Sequence, residues 1–239
     1  DSAPVLLVDG RPGVKLLDGQ AGFLATALAP NKAAAPWDRL SSLSPPDRLE
    51  SRSHTRESRS HTRMNLVSPK VITESELAGE ALPSYDVVVL CNVGQLSAKQ
   101  WNQLERFTSA GGGLLVFLGD LVSADHYNRY GYAGGAGLMP GKIGRPIDLA
   151  STPAGATEFK LDRQVHPIVA EFAAHPTSGL FLARVEHYVP IELDANRAEV
   201  VLRYGNDAPA LVASAFVKGR VLVWTTTANM DWTNFPAKG

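Results

Sequence analysis

The chain has 239 residues, 44% hydrophobic and 20% charged, with a formal net charge of -1 at pH 7. Such a chain can bury a large core, and its near-neutral balance gives no ground for expecting nucleic acid or an anionic membrane surface as partner. A single cysteine, Cys91, excludes an internal disulfide and a multi-cysteine zinc centre, and no apolar run approaches the roughly 20 residues needed to span a bilayer.

Pro4 to Val8 is a compact apolar strand that ends in Asp9-Gly10-Arg11-Pro12-Gly13, where the backbone must reverse. So early a strand is expected of a piece cut from a longer protein. A helix is predicted over Leu17–Leu28 with Phe23, Leu24 and Leu28 on its buried side and Pro30 as its stop. From Asn31 to Arg63 the apolar periodicity disappears. Within this insertion Ser51-Arg52-Ser53-His54-Thr55-Arg56 recurs as Ser58-Arg59-Ser60-His61-Thr62-Arg63 without any apolar seam, which suits a duplication in a solvated loop better than a basic tether or a histidine metal site.

Asn65–Ile72 is the next predicted strand, and Thr73-Glu74-Ser75-Glu76 is a capping-box signature for a short helix through Leu82. The stretch Ser84 to Asp120 then organises the fold. Apolar runs at Val87–Leu90 and Leu114–Leu118 flank an amphipathic segment carrying Trp101, Leu104 and Phe107, opened by a Ser97–Gln100 capping box and stopped by Gly111–Gly113. Two short non-alternating runs joined by a helix are what a parallel sheet covered on both faces requires.

After Asp120, Ser123 caps a helix start, and the glycines of GYAGGAGLMPGKIG follow a helix, not a strand, so they read as a closely packed or flexible loop in preference to a phosphate cradle. His166-Pro167-Ile168-Val169 opens a short helix, and Leu180–Val185 and Val200–Tyr204 are strand-like. Ala210–Phe216 and Arg220–Thr225 form an antiparallel hairpin across Val217-Lys218-Gly219. The expected architecture is a single α/β domain: a flavodoxin-like, doubly wound, mostly parallel sheet with helices on both faces and a β-hairpin extension in the C-terminal third.

Asp9, Asn92 and Asp120 each fall just past the carboxyl end of a predicted parallel strand, the edge where open α/β sheets bind ligands. They read either as oxygen donors for Mg²⁺ or a polar ligand, with Arg11, Gln95, Tyr127 and Asn128 as neighbours, or as turn formers and helix caps, the more ordinary use of these residue types. Cys91 ends an apolar strand and reads as a small core hydrophobe. No Gly-x-Ser-x-Gly elbow occurs, and His166-Pro167 and His187-Tyr188 lack the spacing of a helical zinc pair. Trp224, Trp232 and Phe235 read as sheet packing and a tail anchor, with an exposed contact surface as the alternative. No cofactor or metal is expected.

The opening Val5-Leu6-Leu7-Val8-Asp9-Gly10, the YDVVVLCNVGQLS segment, Phe107 to Gly119, Tyr127-Asn128, Gly137-Leu138-Met139-Pro140, His166-Pro167 and the terminal GRVLVWTTTANMDWTNFP together resemble the class I glutamine amidotransferase-like superfamily. The pattern is most similar to the amidotransferase-like domain of membrane-anchored aerotolerance BatA-type bacterial proteins, often found beside a von Willebrand factor A domain. In the enzymes of that superfamily a cysteine sits in a Gly-x-Cys-x-Gly turn between strand and helix and a His-x-Glu pair activates it. This sequence has Gly119-Asp120-Leu121 at the matching place and no His-x-Glu downstream. The resemblance therefore implies a non-catalytic domain, soluble in itself, of a membrane-anchored bacterial protein. Its expected partners are another protein or neighbouring domains of the parent chain. The alternative is a hydrolase or amidotransferase-type enzyme working through Cys91 or the polar edge of Asp9, Asn92 and Asp120.

Overall fold

The computed structural model describes residues 2–13, 19–30, 66–162, 165–175 and 177–238. The 31–63 insertion, with its duplicated segment, lies outside them.

The first half builds β1 (Ala3–Asp9), α1 (Gln20–Leu28), β2 (Val67–Thr73), β3 (Val87–Cys91), α2 (Ala98–Ser109) and β4 (Gly113–Phe117). The second half adds β5 (Gly141–Ile143), β6 (Ile147–Asp148), β7 (Thr157–Leu161), β8 (Arg184–Val185), β9 (His187–Tyr188) and β10 (Ile191–Leu193). It closes with β11 (Ala198–Tyr204), β12 (Pro209–Phe216) and β13 (Gly219–Trp224). One nine-stranded sheet runs β2-β1-β3-β4-β13-β12-β11-β7-β8. Its first five strands are parallel to their neighbours, and from β13 onward every pairing is antiparallel. The protein is thus a mixed α/β fold on a large sheet whose parallel half carries the apolar runs read from the sequence.

The two long helices pack on opposite faces. Trp101, Leu104 and Phe107 of α2 join Leu6, Val8, Val88, Leu90, Leu114 and Val116 in one core, while Ala21 and Leu24 of α1 meet Leu7, Val89, Cys91 and Phe117 on the other face. The alternation of side chains along each parallel strand makes this division unavoidable. Helix α2 has the expected capping box: the Ser97 hydroxyl accepts from the Gln100 N–H and the Gln100 side chain accepts from the Ser97 N–H.

Several local expectations are corrected. Helix α1 buries its first turn, Gln20, Ala21 and Gly22, whereas Phe23, Leu24 and Leu28 are only half-buried. The Thr73–Glu76 pair does hydrogen-bond, but it leads into two 3₁₀ turns, Glu76–Gly79 and Leu82–Ser84, because Gly79 and Pro83 leave too few residues to nucleate an α-helix. The apolar run expected as a strand over Leu180–Val185 is instead a helical turn, Gly179–Leu182, followed by the two residues of β8. A short apolar run does not distinguish the two by periodicity. The hairpin is present as β12–β13, with a tight Val217-Lys218 connection in which Val217 takes φ 55°. Two glycines of the glycine-rich loop are required by packing: a Cβ on Gly137 would lie 2.1 Å from the Gly131 carbonyl, and one on Gly141 would lie 2.2 Å from that of Glu192.

Candidate functional site

The carboxyl ends of β1, β3 and β4 converge, and Asn92 is what joins them. It is 2% exposed and takes the left-handed conformation at φ 51°, which asparagine tolerates better than most residues. Its backbone N–H donates to the Phe117 carbonyl at 3.0 Å, its amide donates to Asp120 Oδ1 at 2.8 Å, and its Oδ1 accepts from the Leu121 N–H at 3.0 Å. Glycines flank it out of necessity. A Cβ on Gly10 would come within 2.0 Å of the Asn92 carbonyl, and one on Gly119 within 2.4 Å of the Asn92 side chain.

Arg11 closes the arrangement from the β1 side. Its backbone N–H donates to Asp9 Oδ1 at 3.1 Å, and its guanidinium pairs with Asp120 Oδ2 at 2.5 Å. Burial raises the pKa of Asp120, but the Asn92 amide and the Arg11 guanidinium outweigh it and hold the carboxyl below its usual range. Asp9 behaves oppositely: at 6% exposure, desolvation pushes its pKa up, offset in part by the Arg11 N–H. Asp120 is paired with Arg11, so a guanidinium stands beside the two carboxyl groups. Among the described residues no group of three or more His, Cys, Asp or Glu side chains is placed to hold a metal ion.

Of the seven residues singled out in the sequence, Asp9, Arg11, Asn92 and Asp120 are brought together. Tyr127 and Asn128 serve the scaffold. The buried Tyr127 hydroxyl donates to the Val93 carbonyl at 2.8 Å, its ring stands edge-on to Trp101, and burial pushes its pKa far up. Asn128 pins β5 by a reciprocal pair with the Ile143 backbone at 2.8 and 2.9 Å. Gln95 is exposed, and its backbone N–H donates to the Glu74 carboxylate.

Glu74 was not legible as part of this edge. With Thr73, Ser75 and Gln100 it lines a shallow depression of ≈ 340 Å³ next to Asp9, and burial raises its pKa against the Gly94 and Gln95 N–H groups that it accepts from. In the sequence it stood only as an interior member of the Thr73–Glu76 capping-box signature, two residues past an expected strand. Cys91 is 0% exposed at the end of β3, and burial, reinforced by the nearby Asp9, pushes its thiol well above the ordinary value. The two terminal tryptophans divide as expected for one and only partly for the other: Trp232 is buried against His187, while Trp224 is half-buried beside Phe117 and Phe159.

A polar strand edge of this kind on a mixed α/β sheet defines a fold class and not an activity. No family model matches the chain, and no curated protein is detectably similar to it. Among solved structures it is similar to a cytoplasmic protein of Salmonella typhimurium LT2, with TM-score 0.60 and 14% identity over 96% of this chain and 90% of that one. A second cytoplasmic protein of Salmonella typhimurium gives TM-score 0.58 and 15% identity over 96% and 89% of the two chains. A putative ThuA-like protein of Bacteroides uniformis gives 0.48 and 10% over 95% and 82%. At these identities the first two likenesses establish a shared fold. No helix among the described residues is long and apolar enough to cross a membrane.

Proposed function

We propose that this is a non-catalytic amidotransferase-like domain, flavodoxin-like in its winding, acting as a binding or protein-interaction module of a larger bacterial envelope-associated protein. The parallel order β2-β1-β3-β4-β13 supports the winding, being the 2-1-3-4-5 arrangement of that fold. One observation carries the functional half. The turn after β4, where an amidotransferase exposes its nucleophile, is filled by Gly119 pressed against Asn92 and by Asp120 bonded to Asn92 and Arg11. The one sulfur nucleophile in the chain, at Cys91, is sealed in the core and held protonated. Envelope association follows from the resemblance in sequence pattern.

The reading is tested by assaying glutamine hydrolysis with the purified chain and its Cys91→Ser variant. Ammonia release at the blank rate from both is expected. Turnover in the wild type that the substitution abolishes would return the domain to the enzymes. Fractionation of cells producing the parent protein tests the second half, and recovery wholly outside the membrane fraction would remove the envelope assignment.

A further inference from the structure

Among the described residues, the sheet face that carries α1 is incompletely covered. Strands β4 and β13 lie mid-sheet with the apolar runs of strands buried on both faces, yet Leu115, Leu222 and Trp224 on this face are only half-buried. Beside α1 the covering gives way to a cavity of ≈ 260 Å³. Phe117, Phe159 and Trp224 form its floor, and Phe23, Ala27 and Phe235 stand at its rim. Trp224 and Phe235 lie nearly parallel, 6.1 Å between ring centroids at 25°, and Phe159 meets both edge-on at 5.5 and 5.8 Å.

The chemistry of the walls narrows the guest. Among the described residues no charged side chain lines the cavity, and the protons of its two hydroxyls are engaged: Thr226 donates to the His187 carbonyl at 3.0 Å and Thr227 to that of Asn229 at 3.4 Å. With both hydroxyl protons spent, an anionic group would find no donor among these side chains and would bear its desolvation cost. The walls come from the sheet, from α1 and from the Phe235–Ala237 turn, so collapse onto the space requires three elements to move together. Ring edges and faces left without partner atoms forfeit dispersion contacts that a flat apolar guest restores, and apolar spaces in proteins take up aromatic molecules. At interior packing density the space holds roughly a dozen non-hydrogen atoms, the size of one or two fused rings.

We propose that this cavity is a binding site for a neutral, apolar ligand of one or two fused aromatic rings. The inference goes beyond the interaction-module reading and uses none of the side chains that carry it, so either can fail alone. The probe is indole, titrated into the intact chain by calorimetry and by saturation-transfer NMR. Binding with a dissociation constant on the order of 100 µM is expected, well inside what so small a ligand can reach. N-methylindole, which lacks the donor, binds as tightly, and indole-3-carboxylate binds at least about tenfold more weakly. Ala27 is exposed at the rim, so A27L and A27F close the mouth in steps without touching the core, and affinity falls in the same order while circular dichroism stays unchanged. If A27F fails to fold, the A27L result and the N-methylindole comparison decide. Absence of binding at the solubility limit of indole, equal binding of the carboxylate, or affinity indifferent to residue 27 would each overturn the proposal. So would a concentration-dependent dimer that A27L dissociates and indole does not affect, since the face would then belong to a second copy.

Discussion

Replacing Asn92 by alanine removes the joint between three loops, and its cost can be assembled from the contacts it makes. The amide bond to the Asp120 carboxylate is charge-assisted and contributes about 1.5–3 kcal/mol, and the loss of the acceptor for the Leu121 N–H costs about 1 kcal/mol more. Alanine held at φ 51° adds about 1 kcal/mol that asparagine largely avoids. The sum is about 3.5–5 kcal/mol, a fall in Tm of roughly 10 °C for a chain of this size. Thermal unfolding followed by far-UV circular dichroism measures it. Asn92→Gly separates the components, because it keeps the backbone conformation and loses only the side-chain bonds, so it falls about 1 kcal/mol short of alanine. A double-mutant cycle with Asp120→Ala isolates the pair, with a coupling of at least about 1 kcal/mol expected. A total loss below about 1 kcal/mol, or Asn92→Gly no better than Asn92→Ala with no coupling to Asp120, would refute the view that this residue ties the strand edge together.

The two carboxylates beside it predict opposite pH effects. Asp120, with its folded pKa depressed, contributes stability that is present above the unfolded carboxylate value and is lost as pH falls through the folded value. Asp9, with its folded pKa raised, contributes stability below the unfolded value that is lost as pH rises through the folded one; Asp9→Asn therefore raises Tm at pH 7 and changes it less near pH 3. Equal shifts at both pH values would contradict this. The Cys91 thiol in the native protein reacts with a chromogenic disulfide reagent only at the rate of global opening, so its labelling tracks denaturant stability; stoichiometric labelling within seconds in buffer would show that the sulfur is accessible. Val217 is 76% exposed with φ 55°, a conformation that a β-branched residue resists, and Val217→Asn gains about 1 kcal/mol in a denaturant melt; a loss of stability would place the turn's conformation in doubt.

Much of the parallel half was written in the chain locally. The apolar runs ending at Leu90 and Leu118, the Ser97–Gln100 cap and the Gly111–Gly113 stop are short-range signals, and each acts within a turn or a strand of where it stands. So is the β12–β13 hairpin, whose partners lie next to each other in sequence. The placing of oxygen-bearing residues after strands likewise found Asp9, Asn92 and Asp120, because parallel strands deliver their carboxyl ends to one edge whatever the rest of the fold does.

What those residues do at the edge depended on distances no local pattern holds. The pairing of Arg11 with Asp120 joins positions 109 apart and ties the β1 and β4 turns together. Glu74 reached the same edge through the packing of its loop on Gly94 and Gln95, and Gly179–Leu182 became helical against β7 although its composition allowed a strand. The aromatic cavity is the clearest case, since Phe23, Phe117, Phe159, Trp224 and Phe235 come from five segments and only the assembled sheet brings them around one space. Sequence alone set the propensities and the periods, which are properties of neighbours in the chain. Tertiary structure decided burial and partnership, which are properties of neighbours in space.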